Sequence, residues 1–213
     1  MLEKLLTAVR EGRPRLAVEL TAQALRDGYS VEEILQNSLL PAMENIDPSY
    51  SGEEREVARV LAGSRAMKDA LEVLETAVDR AAPQRIGRAV LGTAGGDLHD
   101  VGKRVLALMF RSAGVEVVDL GVDVPAERFR QAVLDDPDVR IVCISCLVST
   151  SLFQMGNIVR SLRHLRGGKD LYIMVGGGPV TREYAEEIGA DIYTENAAEA
   201  AEAAARIYRQ EMT

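Results

Sequence analysis

The chain has no tryptophan, and its other aromatic rings are three Phe and six Tyr among 213 residues. An interior built on aromatic packing is therefore excluded. With 47% apolar residues and only 4% aromatics, the core must be aliphatic, a composition that suits helices and parallel strands. Positive charge is also short: 25 Lys and Arg stand against 33 Asp and Glu, a net charge of −8. Nucleic-acid binders rely on clustered Lys and Arg, so no nucleic-acid partner is expected. No window approaches the ~20 apolar residues of a membrane span. The first residues, Met1 to Leu6, lack a long apolar run behind a basic flank. A cytoplasmic protein without a membrane partner is the expectation. Cys143 and Cys146, the only cysteines, form a C-x-x-C inside Arg140–Leu147. That stretch reads as a buried strand, where positions three apart point to opposite faces, so two buried free thiols are expected.

Two halves differ in periodicity. Up to about residue 80, apolar residues recur at three- and four-residue intervals: Leu2, Leu5, Leu6 and Val9; Leu16, Leu20 and Leu25; Val31, Ile34, Leu35 and Leu39. This is the pattern of amphipathic helices. Pro14 fits a first helical turn, and Ser30-Val31-Glu32-Glu33 fits a capping box. A second box, Ser51-Gly52-Glu53-Glu54, opens a long helix carrying Val57, Val60, Leu61, Met67, Leu71, Leu74 and Val78. A four-helix bundle over residues 1–82 is predicted, with Ala81–Arg85 as linker.

From residue 86 strands and helices alternate: Ile86–Thr93, Val101–Ala113, Val115–Leu120, Pro125–Leu134, Val139–Cys146, Ser151–Leu165, Leu171–Val175, Thr181–Ile188, Asp191–Thr194 and Ala197–Tyr208. Five such units predict an α/β domain over residues 86–213. Its parallel sheet should carry helices on both faces in the flavodoxin-like order 2-1-3-4-5. Ligands in such sheets sit beyond the carboxyl ends of the strands, near the point where strand order reverses. The unusual loops all fall on that edge. His99 follows the first strand, Ser145 to Ser151 the third, Gly176-Gly177-Gly178 the fourth, and Tyr193-Thr194-Glu195-Asn196 the fifth.

His99 is one of only two histidines, and it stands between carboxylates in Gly95-Gly96-Asp97-Leu98-His99-Asp100-Val101-Gly102. Imidazole is a common transition-metal ligand, and an Asp on its other ring nitrogen fixes the tautomer. The first loop lacks the G-x-G-x-x-G of a dinucleotide fold and the lysine of a P-loop. One good ligand cannot cage a free ion, since structural zinc takes four. A metal that needs a single protein ligand comes with its own macrocycle.

Over nearly its whole length the chain resembles the cobalamin-binding corrinoid proteins of methyl transfer, including the cap plus cobalamin-binding modules of methionine synthase. Asp97-Leu98-His99-Asp100-Val101-Gly102 is similar to the family's Asp-x-His-x-x-Gly, Ser145-Cys146-Leu147 to its Ser-x-Leu, and Gly176-Gly177 to its Gly-Gly. The resemblance implies cobalamin, cycling between methylcobalamin and the Co(I) corrinoid, with His99 as lower axial ligand in place of the cofactor's benzimidazole. It implies Asp97 as the hydrogen-bond partner of His99 and Ser151 as the hydroxyl closing a His–Asp–Ser relay. Gly96, Leu98, Asp100, Val101 and Gly102 would flank the ligand. Ser145, Leu147, Ser149 and Gly176, Gly177 and Gly178 would line the slot for the nucleotide tail, and Tyr193, Glu195, Asn196 and Ala197 would close over its end.

The implied function is a non-catalytic methyl carrier, as in an O-demethylase of one-carbon metabolism. It would serve a substrate:corrinoid methyltransferase, a corrinoid:tetrahydrofolate methyltransferase and a reductive activator. A cobalamin subunit of an adenosylcobalamin-dependent mutase and a cobalamin-responsive sensor share the motif. The family's cap often presents an aromatic and Leu-Pro to the corrin, whereas Gly52–Ala58 has no aromatic. Val57, Val60, Leu61 or Met67 would have to shield the cobalt instead.

Overall fold

The computed structural model describes residues 1–44, 54–81, 84–166 and 171–210. The chain divides into two compact units, Met1–Ala82 and Pro83–Thr213.

In the first unit α1 (Leu2–Arg10) and α2 (Pro14–Arg26) are followed by α3 (Val31–Ile34), a π-helical stretch (Leu35–Leu39) and α4 (Leu40–Glu44), then by α5 (Glu54–Ala81). Pro14 occupies the first turn of α2, where its missing N–H leaves no bond unmade. The expected capping box opens α3: Glu33 N donates to Ser30 Oγ at 3.1 Å, and Ser30 N donates to Glu33 Oε2 at 2.8 Å. The first three residues of the second box, Ser51 to Glu53, lie outside the described residues. Leu5, Val9, Ile34, Leu35, Leu39, Leu71 and Leu74 are fully buried, as the three- and four-residue spacing requires. Met67 is buried with them and Leu61 is 65% exposed.

The second unit alternates β1 (Gly87–Thr93), α6 (Val101–Ser112), β2 (Val115–Asp119), α7 (Ala126–Asp135), β3 (Val139–Ser145), α8 (Leu152–Arg163), β4 (Tyr172–Gly176), α9 (Arg182–Ile188), β5 (Ile192–Tyr193) and α10 (Ala197–Gln210). All pairings are parallel and the order is β2-β1-β3-β4-β5, the predicted one. The five positions Ala89 to Thr93 are all buried and, Gly92 apart, read as an apolar run closed by a threonine, because helices cover β1 on both faces. Gly92 is glycine because a β-carbon there would meet Phe129 Cζ at 2.7 Å. Both cysteines are free and buried. The Cys143 thiol lies in β3 against Met174 Sδ at 3.8 Å, and Cys146, just past β3, donates to Val148 O at 3.2 Å.

Register places the site. Thr93 pairs with Ser145, and Ser145 with Gly176, so the ends of β1, β3 and β4 form one row. The loops after them leave from the same edge at the β1/β3 switch point, where the order reverses.

Candidate functional site

The loop after β1 is tied into the sheet before it reaches His99. Ala94 N donates to Ser145 O at 2.9 Å, and a tight turn closes when Asp97 N donates to Ala94 O at 3.1 Å. Gly96 adopts φ +80°, a conformation glycine reaches without strain. Thr93 Oγ1 then donates to His99 O at 2.9 Å, and Asp100 begins α6.

The side chain of Asp97 is wholly buried and that of His99 is 55% exposed. Asp97 Oδ1 accepts from His99 N at 3.0 Å and lies 2.7 Å from His99 Nδ1, while Asp97 Oδ2 accepts from Leu147 N at 2.5 Å. Burial pushes the Asp97 carboxyl upward, but the amides of Leu147 and His99 and the His99 ring outweigh it and hold its pKa below the usual carboxylate range. An ionised carboxylate on Nδ1 fixes that nitrogen as the N–H and leaves the lone pair of Nε2 free, on a ring that is half-exposed. The couple is a single imidazole donor with built-in orientation. Among the described residues no group of three His, Cys, Asp or Glu side chains could hold an ion by itself.

The other expected residues divide into two groups. Leu98 is 73% and Leu147 50% exposed, so bare apolar side chains flank the imidazole. A β-carbon on Gly102, in the first turn of α6, would meet nothing within 4 Å, which leaves that side of the loop open. Ser145 and Gly176 lie in the row of strand ends, and Ser149 is exposed at the start of a 3-10 turn, Ser149–Ser151. Ser151 lies against the histidine loop. It is buried, its Oγ would lie 3.1 Å from a β-carbon on Gly96, yet it makes no hydrogen bond with Asp97 or His99. Asn196 is engaged with its own helix, accepting from Glu199 N at 3.0 Å and donating to Glu199 Oε1 at 2.9 Å. Glu195 is exposed beside it, Ala197 starts α10, and Tyr193 packs under Arg182, whose guanidinium carbon is 5.3 Å from the ring centroid.

One contributor escapes sequence reasoning. Asp123 holds φ +53°, donates its backbone N–H to Asp97 O at 2.9 Å and accepts from Gly96 N at 2.7 Å through Oδ1. It brackets the histidine loop from the β2–α7 connection. Its only signal is an Asp in a turn position between Gly121 and Pro125, a residue type that tolerates the left-handed region.

Known proteins match this architecture throughout. Models described as B12 binding domain cover residues 87–205 and residues 1–75. The chain belongs to the cobalamin-binding corrinoid proteins. It is 30% identical over 97% of its length to a corrinoid protein of Desulfitobacterium hafniense, of which it covers 97%. It superposes on the monomethylamine corrinoid protein of Methanosarcina barkeri with a TM-score of 0.84, at 30% identity and 96% coverage of each chain. A second solved relative is the methanol:cobalamin methyltransferase complex of Methanosarcina barkeri, matched with a TM-score of 0.55 at 27% identity over 96% of this chain and 78% of that one. Cobalamin is thus the cofactor of this corrinoid protein. No helix among its described residues is long and apolar enough to cross a membrane.

Proposed function

We propose that this corrinoid protein is a methyl carrier in which His99 is the lower axial ligand of the cobalamin. The observation that carries the reading is the His99–Asp97 couple: a buried carboxylate 2.7 Å from Nδ1 commits the opposite nitrogen to donate its lone pair outward. The donor set suits a macrocyclic metal that asks one nitrogen of the protein. The surroundings suit a large, partly apolar cofactor, with Leu98 and Leu147 bare and the Gly102 side of the loop open. The cobalt supplies the methyl-transfer chemistry when the cofactor is bound. The protein's part is to bind and orient: the row Thr93–Ser145–Gly176 sets the floor, Asp97 aims the imidazole, and Asp123 fixes the turn that presents both. Gly176–Gly178 and the 193–197 segment follow β4 and β5 on the same edge and would receive the nucleotide tail.

The relatives' names support a substrate that brings a methyl group on nitrogen or oxygen, monomethylamine in one and methanol in the other. The partners would be a substrate:corrinoid methyltransferase, a second methyltransferase passing the methyl to tetrahydrofolate, and a reductive activator, meeting this protein in the cytoplasm. To test the reading, the chain is reconstituted with hydroxocobalamin, labelled with 15N-histidine and reduced to the paramagnetic cobalt(II) form. Hyperfine coupling that changes with the histidine label is expected in wild type and absent from His99→Ala. A wild-type spectrum indifferent to the label overturns the ligand assignment. For the carrier role, reconstituted protein incubated with candidate methyltransferases and methylamines or methanol should take up one methyl group per cobalt; failure with every N- and O-methyl donor would favour the mutase or sensor reading.

A further inference from the structure

Resting on the seat just described for cobalamin over His99, we propose that Asp123 is a specificity residue for the cofactor, its free Oδ2 accepting an N–H from one of the amide arms that rim the corrin. Among the described residues Asp123 is the one non-glycine residue with positive φ, at +53°. It is exposed, in the connection that leaves the sheet after β2.

That connection is laced to the histidine loop. Leu120 N donates to Leu91 O at 2.8 Å, Thr93 N to Gly121 O at 3.1 Å, Val124 N to Thr93 O at 2.9 Å and Asp123 N to Asp97 O at 2.9 Å. Ala94 and Val124 form a parallel bridge that carries the β1–β2 pairing past the ends of the strands. Asp123 Oδ1 then takes Gly96 N at 2.7 Å, in the turn that leads to His99. One oxygen of the carboxylate is therefore fixed beside the loop that presents the imidazole, while the other has no hydrogen-bond or ion-pair partner among the described residues.

Neither the turn nor the loop asks for an aspartate. A left-handed φ is met without strain by glycine, as at Gly121 in the same connection, with φ +90°. An acceptor for Gly96 N is met by asparagine, which tolerates the left-handed region as well. Aspartate alone adds a second anionic oxygen, held in a backbone conformation of the kind that collects at functional sites.

A carboxylate oxygen asks for a donor, and the corrin rim supplies donors. Its acetamide and propionamide arms are primary amides, and an N–H bonded to a carboxylate is roughly twice as strong a hydrogen bond as one between neutral groups. The phosphodiester of the nucleotide tail has no donor and carries like charge, so the arms and not the tail are the partner of Oδ2. The same oxygen opposes a corrinoid whose facing arm is an acid, because like charges brought together repel. Asp123 selects an amidated corrin.

The test uses the full-length protein in equilibrium dialysis at neutral pH, with cobalamin and the set of its monocarboxylates, in each of which a single acetamide or propionamide is hydrolysed to the acid. Each affinity is read as a ratio to that for cobalamin. Wild type is expected to bind one monocarboxylate about tenfold more weakly than the rest. Asp123→Asn keeps an acceptor for Gly96 N and should bring that derivative to within about twofold of the others. Asp123→Gly should do the same, and it decides if the asparagine variant does not fold. A wild type that treats all the monocarboxylates alike overturns the proposal. So does a folded variant that still rejects the same derivative, since a purely structural Asp123 would change every affinity by one factor and leave the ratios alone. The ratios do not require a histidine nitrogen on cobalt and are read equally in His99→Ala, so failure of the ligand reading and failure of this proposal are told apart.

Discussion

Asp97 Oδ1 lies 2.7 Å from His99 Nδ1 and also accepts the His99 backbone N–H, so one buried oxygen fixes both the ring and the main chain of the same residue. Two contacts on a residue only two positions away close a small ring through Oδ1 and the N, Cα, Cβ, Cγ and Nδ1 of His99, and the imidazole is aimed before any cofactor arrives. Asp97→Ala should then weaken cobalamin binding by about 10- to 100-fold, the range found for outer-shell carboxylates of metal-bound histidines. His99→Ala should retain some cofactor through the other loops. Equilibrium dialysis with hydroxocobalamin measures both; an Asp97→Ala protein that binds as tightly as wild type would show the carboxylate to be only structural.

Much of this was legible in the residues themselves. The α/β half announces itself because parallel strands covered on both faces are continuous apolar runs, as in Ala89–Leu91 and Ile141–Ile144, and the helices between them keep their own period. The His99–Asp97 contact is legible for a different reason: it is local, between residues two apart. The Leu147 contact is not, since a backbone amide meeting a carboxylate fifty positions earlier leaves no mark on side-chain type. Ser151 is a different case. Its spacing from Ser145 and Ser149 resembles that of a relay serine, and it is buried beside Gly96 with no hydrogen bond to Asp97 or His99. Asp123 was hidden because a turn Asp is ordinary until its φ of +53° and its two bonds to the histidine loop are seen.

A second prediction concerns the charge buried beside the site. Lys103, on α6, is 4% exposed and its ammonium bonds Asp119 Oδ2 at the end of β2, while Asp119 Oδ1 accepts from Gly121 N at 2.8 Å. Removing Asp119 strands the buried ammonium, whereas replacing the lysine by a hydrocarbon of similar length leaves a carboxylate that is one-third exposed and still bonded by Gly121 N. Asp119→Ala should cost about 3 kcal/mol, the low end for broken buried pairs because Asp119 is one-third exposed. Lys103→Met should cost less. Urea unfolding of both variants gives the comparison, and an Asp119→Ala protein as stable as Lys103→Met would contradict it.

The thiols provide a third. Burial alone pushes the Cys143 thiol far above its ordinary range, and burial together with the nearby Asp97 carboxylate raises Cys146 despite its bond to Val148 O. Thiolate is the reactive form, so both should be inert in the native protein. Ellman's reagent is expected to label neither cysteine at neutral pH until denaturant is added, when both of the chain's cysteines should react. Rapid labelling of Cys146 in native apoprotein would mean that the 146–148 segment opens readily.

The last prediction lies at the opposite end of the sheet. Tyr208 on α10 is 5% exposed, its ring covers Gly87, where a β-carbon would meet Cδ1 at 2.3 Å, and its hydroxyl donates to Arg88 O in β1. Burial raises its pKa to about 12, against about 10 in the unfolded chain. The folded state thus favours the protonated phenol. Its stabilising contribution is complete below pH about 10 and is lost as pH rises from there to about 12, a difference on the order of 2 kcal/mol. With no tryptophan in the chain, tyrosinate absorbance can be followed without interference from indole. The native protein should show a late-titrating tyrosine that Tyr208→Phe removes, and wild type should lose more stability than the variant between about pH 10 and about pH 12. Equal alkaline losses in the two proteins would mean that the hydroxyl is not sealed between α10 and β1.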